Sequence, residues 1–276
     1  MKLTKLFSVI SLVVFLIVSC EEVIKIDLNS SAPKVVIEAV VTDKPGPYEV
    51  KITKTVDFYN PSIFPQISGA SVVISDEDGN QETLTESEPG LYKTGTLQGV
   101  PGKKYTLEIN IDGNQYTAQS TIMEPIKIDS MAFKLEDKVV FGGGGGPKSN
   151  FYSLHVYFKD RPGTKDYCVL KVFKNDTILD KNFLYNGKFT DGNEVDFNRF
   201  GTRFDKGDVV RVELITMGAE NFDYVSTLGN VIANGAKGPG GFTKTGTPAN
   251  PNTNLNNNAL GFFGAYSIDK DSIVIK

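Results

Sequence analysis

From Pro33 onward, apolar and polar residues alternate with a period of two, the pattern of strands with one buried face and one wet face. Lys34–Val41 is rich in Val and Ile, and Tyr48–Val56 alternates behind it. Val72–Ser75 leads into Asp78-Gly79, while Tyr105–Ile111 and Gln115–Thr121 meet at Asp112-Gly113. Each Asp-Gly pair predicts a hairpin, because the tight turn that joins two strands needs positive φ at its centre. With Leu91–Thr94 added, about seven short strands fall in roughly 90 residues, which predicts an Ig-like β-sandwich over residues 33–122.

Glu124-Pro125 marks a break. Beyond it, Phe151–Phe158 places Leu154, Val156 and Phe158 on one face and Ser153, His155 and Tyr157 on the other. Tyr167–Phe173, Thr177–Tyr185 and Asp208–Ile215 predict further strands. Ala219–Leu228 sets Phe222, Val225 and Leu228 near helical spacing and predicts one short helix. Gly142–Gly146 and the Asn-rich stretch Asn250–Asn258 read as loops. The expected fold is therefore mostly β, with a second β-rich, sandwich-like domain over residues 123–276.

The N-terminus departs from this pattern. Lys2 and Lys5 precede Phe7–Val18, an unbroken run of apolar residues and serines. A spanning helix needs about 20 apolar residues, so this shorter run reads as a secretory signal peptide. Ile17-Val18-Ser19-Cys20 resembles the bacterial lipobox: an aliphatic residue, a small or aliphatic one, a small one, then Cys. The resemblance implies a signal peptide over 1–19, a diacylated Cys20 and a lipidated tether over 20–32. The chemistry needs a thiol because the thiolate is the attacking nucleophile. Acyl chains, at about 0.8 kcal/mol per buried CH₂, would then hold the chain at a membrane. Glu21-Glu22 resembles the surface-export signals of Bacteroidetes lipoproteins, which implies an outer-membrane protein displayed at the cell surface.

Charge and cysteine use narrow the function. The 276 residues carry 29 Lys and Arg against 33 Asp and Glu, and removing residues 1–19 takes only cations. An acidic body without a basic stripe argues against nucleic acid, whose phosphates need clustered cations. With Cys20 lipidated, Cys168 alone remains, on the same face as Leu170 and Val172, so it is expected as a core thiol. No internal disulfide is then expected.

Candidate chemistry is sparse. The only histidine is His155. A Ser-His-Asp arrangement stays open because triads are spatial, but no Gly-x-Ser-x-Gly elbow presents a nucleophile. A zinc site is not expected from one His and one free Cys. Asp76-Glu77-Asp78-Gly79-Asn80 falls short of a calcium loop, since Gln81 stands where a Gly is required. Gly142–Gly146 lacks the Gly-Lys-Ser/Thr of a phosphate loop. No cofactor, metal or catalytic residue is expected. Aromatics are all Phe and Tyr, and the lack of Trp weakens a glycan platform. Phe262 and Phe263 follow the Asn-rich loop, with one ring expected to face out. Together with Asn252 and Asn254 they are the candidate partner-binding residues.

Two resemblances add to this reading. Ser68–Ile74, Asp78-Gly79-Asn80, Pro89-Gly90-Leu91-Tyr92 and Val100–Tyr105 resemble the carboxypeptidase-regulatory or transthyretin-like Ig modules. Nearly the whole mature chain resembles the DUF4249 lipoproteins of the Bacteroidetes. The carriers are Cys20-Glu21-Glu22 with Ile26-Asp27, the strand Val35–Glu38, the Ser68–Tyr105 module, Phe222-Asp223-Tyr224 and Ala259–Ser267. Pro251-Asn252-Thr253-Asn254 matches the family pattern in part, while Asn256-Asn257-Asn258 replaces its usual glycines. The resemblance implies an accessory surface lipoprotein beside SusC-like TonB-dependent outer-membrane transporters, with the small-molecule ligand unspecified. The expected role is a non-catalytic binding or accessory subunit. The alternatives are a structural or adhesive surface protein and, less favoured, a hydrolase. The lack of Arg before Arg161 counts against a fimbrillin-like maturation route. Long loops in the second half, 142–150 and 235–258, are expected to make the functional contact.

Overall fold

The computed structural model describes residues 32–56, 64–138, 149–179, 182–198, 203–235 and 250–276. The signal peptide, Cys20 and the expected tether up to residue 31 lie outside them, as do Gly142–Gly146 and residues 236–249. Residues Pro33–Lys276 form one compact unit.

The chain is mostly β, with strands gathered into sandwich-like layers and one helix among the described residues. The first half supplies β1 (Val35–Thr42), β2 (Glu49–Lys54), β3 (Ser71–Asp76), β4 (Gln81–Thr83), β5 (Thr85–Glu88), β6 (Leu91–Lys93), β7 (Lys104–Ile111) and β8 (Asn114–Thr121). The second half supplies β9 (Ile128–Lys138), β10 (Ser149–Lys159), β11 (Tyr167–Lys174), β12 (Thr177–Ile178), β13 (Phe183–Tyr185) and β14 (Glu194–Phe197). After these come β15 (Val209–Met217), helix α1 (Ala219–Gly235) and β16 (Leu260–Val274). Both expected Asp-Gly hairpins form: β3 pairs β4 and β7 pairs β8, with Gly79 and Gly113 at positive φ.

One nine-stranded sheet runs β12-β11-β15-β16-β1-β2-β6-β5, with β13 also on β11. A four-stranded sheet, β4-β3-β7-β8, and a three-stranded sheet, β14-β10-β9, complete the fold. Long β16 joins the halves. Its first part pairs in parallel with β1, from Val36↔Leu260 to Thr42↔Tyr266. Its second part pairs antiparallel with β15, from Met217↔Tyr266 to Val209↔Val274. Asp43 stands at the changeover: its N–H donates to the Tyr266 carbonyl at 3.2 Å, and its carboxylate accepts from the Ile268 N–H at 2.9 Å.

The apolar faces close two main cores. The first gathers Ile37, Val50, Ile52, Ile74, Leu107 and Ile109, and is completed by Leu255, Ala259, Phe263 and Ala265. The second gathers Leu154, Val156, Phe158, Leu170, Val172 and Leu214. The expected break at Glu124-Pro125 falls in the gap between these cores, yet the first core draws on residues far beyond that break. Tyr92 and Tyr105, both from the Ser68–Tyr105 stretch, are buried with their hydroxyls partnered. Tyr92 donates to the Ile67 carbonyl at 3.1 Å, and the Val100 N–H donates to Tyr105 at 2.8 Å.

Helix α1 extends seven residues past the expected Leu228. Phe222 and Val225 pack on Val169, Ile215 and Met217. Asn221 is buried and pins the helix, donating to the Ala265 carbonyl at 3.0 Å and to Ser120 Oγ at 3.2 Å.

Candidate functional site

An open cleft of about 940 Å³ lies between α1, the β7–β8 hairpin and the segment 252–256. Strand alternation builds one wall. Leu107 and Ile109 point into the core, so Thr106 and Glu108 point out, with Thr117 directly opposite Glu108. The first turns of α1 bring Glu220 and Asp223, placed favourably for the positive end of the helix dipole. The lining thus mixes amides, hydroxyls and carboxylates with the apolar surface of Ala118, Ala219 and Phe262.

The Asn-rich segment forms the third wall, and its geometry explains its composition. Asn254 Nδ2 donates to the carbonyls of Gln119 at 3.0 Å and Phe263 at 2.9 Å, and Asn254 Oδ1 accepts from the Phe263 N–H at 3.0 Å. The Asn256 N–H donates to the Thr117 carbonyl at 3.1 Å, and Asn256 Oδ1 accepts from the Thr117 N–H at 2.8 Å. The segment therefore satisfies the outer edge of β8. Asn257 and Asn258 adopt φ of 54° and 55°, a left-handed conformation that Asn tolerates better than most residues. This is why Asn can stand where glycines were expected.

The four sequence candidates therefore divide. Asn252 reaches into the cleft and touches Asp223 Oδ2 at 3.4 Å. Asn254 lines it but spends its amide on backbone. Phe263 is fully buried, and Phe262 is only 8% exposed, stacked on Tyr224 with ring centroids 4.6 Å apart. The expectation that one ring faces out is corrected: both close apolar space, Phe263 between the sheets and Phe262 beneath the helix. Phe262 still lines the cleft.

Behind the Tyr224–Phe262 pair lies a second groove of about 540 Å³, with Tyr48, Val225, Leu228 and Tyr266 among its walls. Gly264 makes room there, since a Cβ on it would sit 2.6 Å from the Tyr266 ring. Burial pushes the Tyr266 phenol up to about 12, with Tyr224 adding to the shift, and burial followed by Glu38 raises Tyr224.

The other candidate chemistry is accounted for by local partners. His155 Nδ1 lies 2.7 Å from Asp196 Oδ1, and its Nε2 lies 3.2 Å from Ser153 Oγ, in the order of a triad. Asp196 comes from β14, a strand too short to show a period in the sequence, so this third member was missed. His155 is only 4% exposed, while Ser153 also donates to the Lys134 carbonyl at 3.3 Å. In a triad the imidazole takes the serine's proton; here the Ser153 hydroxyl is shared between the His155 ring and the Lys134 carbonyl. Asp76 is used by its own turn. Its carboxylate accepts from the Asp78 and Asn80 N–H groups, the Asn80 amide and Lys103, and these bonds, with Asn80 foremost, hold it down at about 2. Cys168 is buried beside Thr216, and burial pushes its thiol up to about 12. Among the described residues, no group of three or more His, Cys, Asp or Glu could hold a metal ion.

A family model described as a domain of unknown function, DUF4249, matches residues 21–272. No curated protein is significantly similar to the chain.

Proposed function

Starting from the chain's membership of the DUF4249 family, we propose that it is a lipoprotein anchored in the outer membrane through Cys20 and displayed at the cell surface. It acts there without catalysis, as a binding or accessory subunit of a SusC-like TonB-dependent transporter. The observation that carries the binding role is the cleft between α1, β7–β8 and 252–256. Its volume lies within the range of about 300–1,000 Å³ common to ligand sites. Each wall is held before anything binds: the hairpin by its ladder, the segment by Asn254 and Asn256, the helix by Asn221. Such preorganisation lowers the ordering cost of association. Carboxylates and amides from three elements suit a polar partner surface, with Asn252 and Phe262 as contacts and Asn254 as the brace behind them.

The anchoring part rests on Ile17–Cys20, and the display part on Glu21-Glu22. Photo-crosslinking in intact cells tests the binding part. A photoreactive residue at Thr117, inside the cleft, should capture a transporter that mass spectrometry identifies. The same group at Asp112, on a hairpin tip, should not. Equal capture from both positions, or none from Thr117, would count against the cleft as the contact.

A further inference from the structure

One stretch of sheet is apolar on the face that alternation would leave wet. Along β16, Phe263 and Ala265 point into the first core, so Phe262, Gly264 and Tyr266 share the opposite face. On β1, Val40 stands opposite Gly264 and Glu38 opposite Phe262. Helix α1 faces them with Tyr224, Val225 and Leu228. The space left between helix and sheet is the second groove, of about 540 Å³, a volume within the range of ligand sites. Its floor depends on Gly264. A Cβ there would lie 2.6 Å from the Tyr266 ring and 2.9 Å from the Tyr266 hydroxyl, so the glycine is what lets that phenol lie across the strand. The Tyr224 ring is held by its stack on Phe262, with centroids 4.6 Å apart. Both rings are thus positioned before anything binds, which lowers the ordering cost of association.

Two polar groups in this apolar space are unused. The Tyr48 hydroxyl is committed: it donates to the Thr42 carbonyl and accepts from the Gly99 N–H at 3.1 Å. Among the described residues, the Tyr224 and Tyr266 hydroxyls have no hydrogen-bond partner. Burial keeps both phenols protonated at neutral pH, with Glu38 adding to the effect on Tyr224 and Tyr224 to that on Tyr266. Each is therefore an uncharged donor in need of an acceptor. The charges at the rim are answered within the chain. Glu38 stands opposite Lys51 in the β1–β2 ladder, and Glu49 pairs with Lys93 at 2.8 Å. An ionic ligand would find no unopposed charge there, and a charged protein surface would gain none.

We propose that this groove is a binding site for a neutral, mainly apolar small molecule with carbonyl or ether oxygens, which accept from the Tyr224 and Tyr266 hydroxyls while its hydrocarbon body packs on Phe262, Val225 and Leu228. The site is separate from the transporter contact placed in the first cleft and does not depend on it.

Benzophenone is a probe of this class: it is neutral, apolar but for one carbonyl oxygen, and inserts into nearby C–H bonds under near-ultraviolet light. Photolabelling of the purified full chain, mapped by peptide mass spectrometry, should be saturable, concentrated in residues 224–228 and 262–266, and displaced by camphor, a neutral ketone that does not photolabel. Replacing both tyrosines, Tyr224→Phe with Tyr266→Phe, should raise the half-saturating concentration about threefold to tenfold, the loss of one hydrogen bond. The melting temperature should not fall, since neither hydroxyl has a protein partner to lose. Thr117→Trp, in the first cleft, should label like the wild type. Diffuse labelling, labelling that camphor does not displace, or an unchanged half-saturating concentration in the double variant would mean an adventitious apolar probe only and overturn the proposal. A lower melting temperature in the double variant would show that the hydroxyls serve the fold, and would overturn it too. Labelling of the purified chain that is absent in intact outer membranes would assign the groove to a protein neighbour instead.

Discussion

Asn254 joins three stretches of backbone with one amide. It bridges β8 to β16 and covers both polar groups of Phe263, a residue whose ring is in the core. Asn254→Ala should leave those groups unpaired and cost roughly 1–3 kcal/mol. Urea unfolding would show this as a lower midpoint with an unchanged slope, whereas an unchanged midpoint would make the segment a passive loop. Asp76 supplies a second test. Its folded value is depressed to about 2, so its stabilisation is present above the ordinary carboxylate range and is lost as pH falls through the folded value. Thermal melts in acid should therefore fall less steeply for Asp76→Asn than for the wild type. At this scale the sequence was informative where chemistry is local: Asp112-Gly113 turns where its φ requirement says, and Cys168 is a core thiol. It was silent where a side chain's partner is distant. The amide of Asn254 and the aspartate of His155 are assigned by elements that no nearby pattern announces.

Among the elements, β16 decides how the halves depend on each other. The alternating period marked most of the long strands, because one face of each is buried. The period could not show that β16 lies parallel to β1, more than two hundred residues earlier, since register between distant strands leaves no local trace. The short strands β5 and β14 escaped for a simpler reason: four residues carry too little period, while the one strand expected over Thr177–Tyr185 forms as two short ones, β12 and β13. The consequence concerns the boundary read at Glu124-Pro125. A fragment of residues 33–122 would lack Leu255, Ala259, Phe263 and Ala265, and β1 would lose its parallel neighbour. Its amide spectrum should be collapsed. The same fragment joined by a flexible linker to residues 252–268 should give dispersed resonances. A well-dispersed spectrum from 33–122 alone would show that β16 is dispensable to that core. Gly261 offers a sharper probe of the same contact. It has φ of 93°, and a Cβ on it would lie 2.0 Å from the Ile37 carbonyl oxygen, so Gly261→Ala should separate β16 from β1 and strongly reduce the yield of folded protein.

For the whole molecule, anchoring and binding are separable claims. Anchoring belongs to Cys20: Cys20→Ala should abolish labelling by a clickable palmitate and leave an unprocessed precursor, while unchanged label would rule the lipobox reading out. Binding belongs to the cleft, whose walls were only partly visible beforehand. The Asn-rich segment was marked by composition, and α1 by spacing. That the two enclose a space against β7–β8 depends on tertiary packing. The most direct measurement is recovery of a transporter with affinity-tagged protein from detergent-solubilised outer membranes, comparing the wild type with Thr117→Trp, which fills the cleft from an outward-facing strand position. The account predicts equal membrane levels and equal thermal stability of the two proteins, with transporter recovery reduced about tenfold or more by the substitution, the loss expected when a contact worth about 1.4 kcal/mol or more is removed. Wild-type recovery by Thr117→Trp, or no transporter recovered with either protein, would contradict it.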